Sequence, residues 1–381
     1  MSRSAQAPVG TFHIEGVIHA LETFDFEQDY GPSDDGNRIH HEPIGVCGLI
    51  TPWNWPMNQV TLKVIPALAA GCTVVLKPSE VAPISSMIFA EVIEEACLPA
   101  GVFNLVNGEG ATVGEAMSSH VGIDMMSFTG STHAGIAVAA GAAKTVKRVT
   151  LELGSKSPNL IFADCDVKAA VERGVMACFQ NSGQSCDAPT RMLVERSVYS
   201  DAVKFAAAFA ESVSVGDPAE TGDHIGPLAN CVQFAKVQRL IAIGIEEDGR
   251  LIAGGTGRPR DLTLGYYVKP TIFADITKEM TIAREEIFGP VLTIMPFDDE
   301  EQAVEIANDT PYGLAAYVQT GSTERLRRVT RQLRAGMVHA NGAYLAPGMP
   351  FGGYKQSGLG REDGRWGIED FLEVKAVNGW K

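Results

Sequence analysis

A chain of 381 residues with 45% hydrophobic and 20% charged side chains is long enough for two or three domains and too apolar to be a disordered segment. Its formal net charge of −15 disfavours a nucleic-acid backbone or an anionic membrane as partner, but not an anionic cofactor, because helix N-termini and loop amides bind phosphate locally. Seven cysteines, an odd number without a C-x-x-C pair, point to neither a disulfide framework nor a zinc site and fit a reduced, cytoplasmic setting. No apolar run reaches the length of a membrane span, and residues 1–30 lack the apolar core of a secretory signal.

Residues 24–43 are polar and carry Gly and Pro, which predicts an extended arm outside the core. GVCGLI (45–50) reads as a buried strand, followed by a helix from about Met57 to Ala70 with Pro56 at its start. CTVVLKP (72–78) is the next strand, and ISSMIFAEVIEEAC (84–97) has apolar residues at helical spacing. GVFNLVNG (101–108), DMMSFTG (124–130) and KRVTLEL (147–153) are further strands, separated by Gly/Ala-rich helices. This β-α-β-α order predicts an α/β domain with a doubly wound parallel sheet.

After Gly154 the pattern restarts, with strands predicted at 157–164, 191–199, 266–273, 289–297, 314–320 and 336–342. Helices such as 167–180 and 202–212 lie between them, giving a second α/β domain from near Ser155. Residues 251–265 read as a loop, and the tail from Phe371 ends in a strand-like run. There is no internal repeat and no low-complexity tract.

Cys186 lies in NSGQSCDAP (181–189), among small and polar neighbours just after a predicted helix. Most thiols are buried structural residues, but these neighbours are not core-forming, and a loop there exposes a nucleophile. Glu152 ends the strand VTLEL with Gly154 close behind. Carboxyl ends of parallel strands are where α/β sites form, so it is a candidate base as well as a candidate solvated strand-end charge. Asn54, in ITPWNWPM (50–57), sits in a loop stiffened by Pro52, Trp53, Trp55 and Pro56. Its amide is a candidate oxyanion donor, against the commoner use of bonding its own turn.

Lys77 and Glu80 in VVLKPSE (74–80) end the second strand, where a carboxylate can hold ribose hydroxyls, unless the two are simply a surface charge pair. FTGSTHAG (128–135) places Gly130 and Ser131 at a strand-to-helix junction suited to a pyrophosphate or to tight packing. The G-x-G-x-x-G fingerprint is absent, and NGEGATVG (107–114), with Gly110 and Gly114, has one residue too many.

Together with EEIFGPV (285–291) and PFGGYKQSGLGRE (350–362), these runs resemble the aldehyde dehydrogenase superfamily, in its order and near its spacing from about Ile44 onward. The resemblance implies a Rossmann-like cofactor domain (1–24 and 44–154), a second α/β catalytic domain (155–356) and a small β oligomerisation arm (25–43 and 371–381) of a homodimer or homotetramer. It makes Cys186 the nucleophile, Glu152 the general base, and Asn54 with the Cys186 amide the oxyanion donors. Cofactor contacts fall on Ile50, Thr51, Pro52, Trp53, Lys77, Ser79, Glu80, Gly110, Gly114, Phe128, Gly130, Ser131, Leu153, Glu286 and Phe288. Glu286 would hold the nicotinamide ribose, and Lys63 and Glu362 match a proton path from the base. NAD is the implied cofactor, with NADP the other candidate, and no metal is implied.

By the same analogy Trp55, Gln59, Leu62, Gln180, Ser185, Asp187, Tyr344 and Phe351 would line a substrate tunnel suited to aromatic or medium-chain aldehydes rather than succinic semialdehyde, with betaine-aldehyde-like substrates the other candidate. Two departures from the family stand out. Ser155 replaces a usual second glycine, which predicts crowding beside the base. A shorter N-terminal segment than is usual predicts exposed apolar surface on the cofactor domain. The rival readings are a CoA-acylating relative, which usually lacks the base, and a non-catalytic member of the family.

Overall fold

The computed structural model describes residues 5–32 and 35–380. Residues 1–4, 33, 34 and 381, which fall within the expected ranges 1–24, 25–43 and 371–381, lie outside the described residues.

In chain order the elements are α1 (Pro8–Leu21), β1 (Glu27–Asp29), β2 (Arg38–Pro43), β3 (Val46–Ile50), α2 (Pro56–Ala69), β4 (Thr73–Lys77), α3 (Ile84–Glu95), β5 (Phe103–Leu105), α4 (Glu115–Ser119), β6 (Met125–Thr129), α5 (Thr132–Ala143) and β7 (Arg148–Glu152). There follow β8 (Pro158–Ile161), α6 (Val167–Phe179), β9 (Arg191–Glu195), α7 (Tyr199–Ser212), β10 (Ser214–Val215), β11 (His224–Ile225), α8 (Cys231–Glu246), β12 (Arg250–Ala253) and β13 (Thr271–Ala274). The chain closes with α9 (Thr281–Arg284), β14 (Val291–Phe297), α10 (Glu300–Asn308), β15 (Ala315–Gln319), α11 (Thr323–Gln332), β16 (Met337–Ala340), β17 (Gly358–Leu359), α12 (Gly364–Asp370) and β18 (Leu372–Val377).

Two compact units result, one of residues 1–153, 346–352 and 358–381, the other of 154–345 and 353–357. In the first unit the sheet order is β17-β7-β6-β3-β4-β5, parallel except for β17 against β7. Cys47, Leu49, Val74, Leu76, Met125 and Met126 are fully buried, as strands covered on both faces require. Pro56 opens α2, whose Val60, Val64 and Ala67 pack into the core with Val17, Ile368 and Phe371. The registers Ile50↔Lys77, Ile50↔Phe128 and Thr129↔Glu152 set four strand ends along one carboxyl edge.

A separate antiparallel sheet of the same unit, β1-β2-β18, joins residues 27–29 and 38–43 to 372–377. Phe24, at the start of the run 24–43 that reads as an arm and the end of the expected cofactor-domain range 1–24, is buried, its ring tilted against that of Phe26 at 4.8 Å. Residues 346–352, placed in the second domain by the sequence reading, cluster with the first. The reason is local: Phe351 and Glu362 exchange backbone hydrogen bonds of 2.9 and 2.7 Å.

The second unit is built on the sheet β12-β13-β14-β9-β8-β15-β16, with β12 its one antiparallel strand. One face packs around Phe162, Phe273 and Phe297, the other around Val171, Phe179 and Ile294. Residues 251–253, expected in a loop, pair with β13 instead. Ile252 and Ala253 pack on the core there, while the left-handed Gly254 and Gly255 just beyond give the segment its loop-like composition.

Candidate active site

The candidate residues of the first unit gather at its carboxyl edge. Glu152 is the last residue of β7 and is 4% exposed. Neither carboxyl oxygen has a hydrogen-bond partner. Burial raises its pKa well above the usual carboxylate range and neighbouring Glu362 adds to this, against the opposing charges of Lys63 and Arg361. A Cβ on Gly352, at φ +150°, would stand 2.7 Å from Glu152 Oε1, so a larger residue there would displace the carboxyl. Glu362 Oε1 is 2.5 Å from the Lys63 ammonium, which also donates to Ser127 Oγ at 2.9 Å. Ser127 is a partner that the sequence gave no sign of, since it is one buried residue of an apolar strand.

Asn54 is buried in the β3–α2 loop, and its backbone oxygen accepts from Gln6 Nε2 at 3.3 Å. Ile50 and Thr51 are buried, Pro52 and Trp53 half-buried, and the Thr51 N–H donates to Lys77 O at 3.2 Å. The Lys77 ammonium, itself buried, donates to Pro78 O at 3.1 Å and to Glu80 Oε2 at 3.2 Å. The Glu80 side chain is 52% exposed. Ser79 Oγ accepts from the Val81 N–H at 3.3 Å. Gly130 lies against Phe128, whose ring would be 2.6 Å from a Cβ there, and Leu153 packs equally closely on Gly135. Ser131 caps α5 by accepting from the Ala134 N–H at 3.3 Å. Gly110 and Gly114 bound a wide helical turn before α4, with Gly114 against Ile50.

In the second unit Cys186 follows a left-handed run, Asn181, Ser182 and Gly183, that turns the chain sharply after α6. Gly183 is packed onto the backbone of Gly289: a Cβ would lie 2.1 Å from the Gly289 carbonyl carbon. Gln184 ties the loop down, accepting from the Ala229 N–H at 2.9 Å and donating to Asn181 O at 3.1 Å. Beyond the cysteine, Asp187 O accepts from the Tyr317 hydroxyl at 3.1 Å, and the Tyr317 ring stacks on His339 at 4.7 Å.

Glu286 Oε1 accepts from the Ser155 N–H at 2.8 Å, and its carboxyl lies so close to Gly154 that a Cβ there would be 2.6 Å from Oε2. Ser155 carries no left-handed backbone strain, and its Oγ bonds to Ser157 Oγ at 2.8 Å. The Ser155 side chain thus has a buried hydroxyl partner within its own unit. Phe288 adopts φ +59°, and its carbonyl accepts from Gln233 Nε2 at 2.7 Å. Lys156 is fully buried, and burial lowers its amine to about 7.

Residues 13–377 match the aldehyde dehydrogenase family. The chain belongs to that family. Over 376 residues it is 54% identical to a 3-succinoylsemialdehyde-pyridine dehydrogenase of a Pseudomonas species, covering 99% of this chain and 78% of that one. The aldehyde dehydrogenase of Bartonella henselae superposes with a TM-score of 0.97 at 54% identity, covering 99% of this chain and 79% of the other. Aldehyde dehydrogenase C of Pseudomonas syringae, solved as a variant with NAD+ and octanal, gives 0.97 at 51% identity, covering 100% and 77%.

This aldehyde dehydrogenase is NAD-dependent and oxidises aldehydes. Its own residues fit the cofactor. The buried hydroxyls of Thr129 and Thr132, at the β6–α5 junction, lack partners, and α5 offers a capped N-terminus beside them. The carboxylate of Glu80 after the second sheet strand suits a free ribose 2′-hydroxyl and opposes a 2′-phosphate. Among the described residues no His/Cys/Asp/Glu cluster could hold a metal ion, and no helix is long and apolar enough to cross a membrane.

Proposed function

We propose that the enzyme oxidises its aldehyde through a covalent cysteine intermediate that water hydrolyses to a carboxylic acid. Cys186, as thiolate, adds to the aldehyde carbon, and Asn54 Nδ2 with the Cys186 N–H stabilises the oxyanion. When bound, NAD supplies the two-electron oxidation that leaves a thioester on the sulfur. Lys77, Glu80 and Ser131 in the first unit and Glu286 in the second are the residues that would hold it. Glu152 then takes a proton from water as the hydroxide adds to the thioester carbonyl; the C–S bond breaks and the thiolate leaves.

The observation that carries this reading is the buried Glu152 carboxyl, with both oxygens unpartnered and its pKa raised. Such a carboxyl is a base of tuned strength with no competing hydrogen bond. It also favours water over CoA as the acyl acceptor. The test is Glu152→Gln mixed rapidly with aldehyde and NAD. One equivalent of NADH per site should form and turnover then stall, whereas sustained NADH production at the parental rate would remove Glu152 from the mechanism.

For substrate we propose aromatic or medium-chain aldehydes. The names of two relatives, a semialdehyde-pyridine and an octanal complex, lie in that range. A panel of pyridyl, phenyl, octyl and short dicarboxylic semialdehydes, compared by kcat/KM, separates these classes. We also propose that β18 mediates self-association. It is one of the two edge strands of its sheet, and Val374 on it is 67% exposed.

A further inference from the structure

We infer that Asp370 is the outer end of a proton exit that begins at Glu152 and passes through Glu362. The inference rests on Glu152 being the base. Each turnover leaves one proton from water on that carboxyl. Glu152 is buried and must lose the proton before it can act again.

Within the first unit three carboxyls lie along one short stretch of chain. Glu152 Oε1, Gly360 O and Arg361 Cδ all press on the Cα of Gly352, lying 2.7, 2.8 and 3.0 Å from where a Cβ would be. On Gly360 itself, at φ +87°, a Cβ would lie 2.5 Å from Asp370 Oδ2. Glu152 and Asp370 thus flank the same segment, Gly360–Arg361. The Arg361 N–H donates to Asp370 Oδ2 at 2.9 Å, and Arg148 Nη1 donates to the Asp370 carbonyl at 3.0 Å. Glu362, next in the segment, has Oε1 on Lys63 while its buried Oε2 has no partner. Glu152 and Glu362 are 4% and 6% exposed, and Asp370 is half-buried. Exposure therefore rises from the base to Asp370, as an exit requires.

The charges acting on Asp370 are Glu362, just before α12, Arg148 from β7 and Lys63 from α2, with Glu152 at the end of β7 interacting with it as well; Arg361 acts only through its backbone N–H. Burial raises its pKa to about 6, so near neutral pH it can accept a proton and return it to water. The transfer balances: the proton leaves Glu152 for a Glu362 carboxylate oxygen, then for Asp370, then for solvent, and each carboxylate is regenerated.

The test is Asp370→Asn, whose amide oxygen can still accept from the Arg361 N–H but cannot titrate. NADH formation in the first turnover should keep its rate. Steady-state turnover should fall about tenfold, and millimolar formate or acetate should restore part of it by carrying the proton. Asp370→Glu, which keeps a carboxyl, should turn over normally with a shifted acid limb in its pH profile. Unchanged turnover in Asp370→Asn, while Glu152→Gln stalls after one NADH, would overturn the exit and leave the base intact. Sustained turnover in Glu152→Gln would overturn both. Should Asp370→Asn not fold, Asp370→Glu decides: a shifted acid limb supports the exit, and an unmoved one overturns it.

Discussion

If Glu152 is the base, its surroundings set the pH dependence of the hydrolytic step. Burial and Glu362 hold its proton on to higher pH than an ordinary carboxyl. Only the ionised form can take a proton from water, so thioester hydrolysis should rise with pH through that raised pKa and fade below it. Stopped-flow hydrolysis rates between pH 5 and 9 should show the rise; a rate independent of pH there would contradict the role. Lys156 gives a second pH effect, on stability. Its folded-state pKa is lowered from 10.5 to about 7, so between those values the unfolded chain binds the extra proton. Stability then increases as pH rises through this window, by up to about 1.4 kcal/mol per pH unit from this group. Lys156→Met should flatten that slope in urea titrations at pH 7 and 9, and an unaltered slope would show that Lys156 stays charged when folded. The sequence drew attention to Cys186, Glu152 and Asn54 through their motifs, but it gave no sign of Ser127 or Asp370. Such partners depend on tertiary packing; Lys63 and Glu362 themselves are 299 positions apart.

Helix α6 and the loop after it show what was legible at the element scale. The sequence predicts the helix over 167–180; the structure adds that Asp166 caps it. The three left-handed residues beyond it do not show, because Asn181 and Ser182 are unexceptional turn residues until the backbone is seen. Gly183→Ala combines a left-handed Cβ with a clash against the Gly289 carbonyl. It should destabilise by about 2 kcal/mol or more, measurable as a lower urea midpoint, and a midpoint within error of the parent would contradict the close approach. The parallel strands of both sheets were readable as short apolar runs because both of their faces are buried. The antiparallel β12 was missed beside its glycines. On α3, Ile84, Met87, Ile88 and Val92 are all exposed at one-face spacing.

At the scale of the whole molecule, two α/β units, each with its own sheet and core, were foreseeable from the strand–helix alternation restarting at Gly154. The return of residues 346–352 to the first unit was not, since it follows from the pairing of Phe351 with Glu362. If β18 mediates self-association, Val374→Pro should lower the particle mass measured by light scattering, and an unchanged mass would place the contact elsewhere. The central claim, a thioester on Cys186 released by Glu152, is tested most directly by intact-protein and peptide mass spectrometry. Glu152→Gln treated with aldehyde and NAD, then acid-quenched, should carry one acyl group, located on the peptide containing Cys186 and absent from Cys186→Ala. An unmodified Glu152→Gln enzyme that still forms acid at the parental rate would contradict the account.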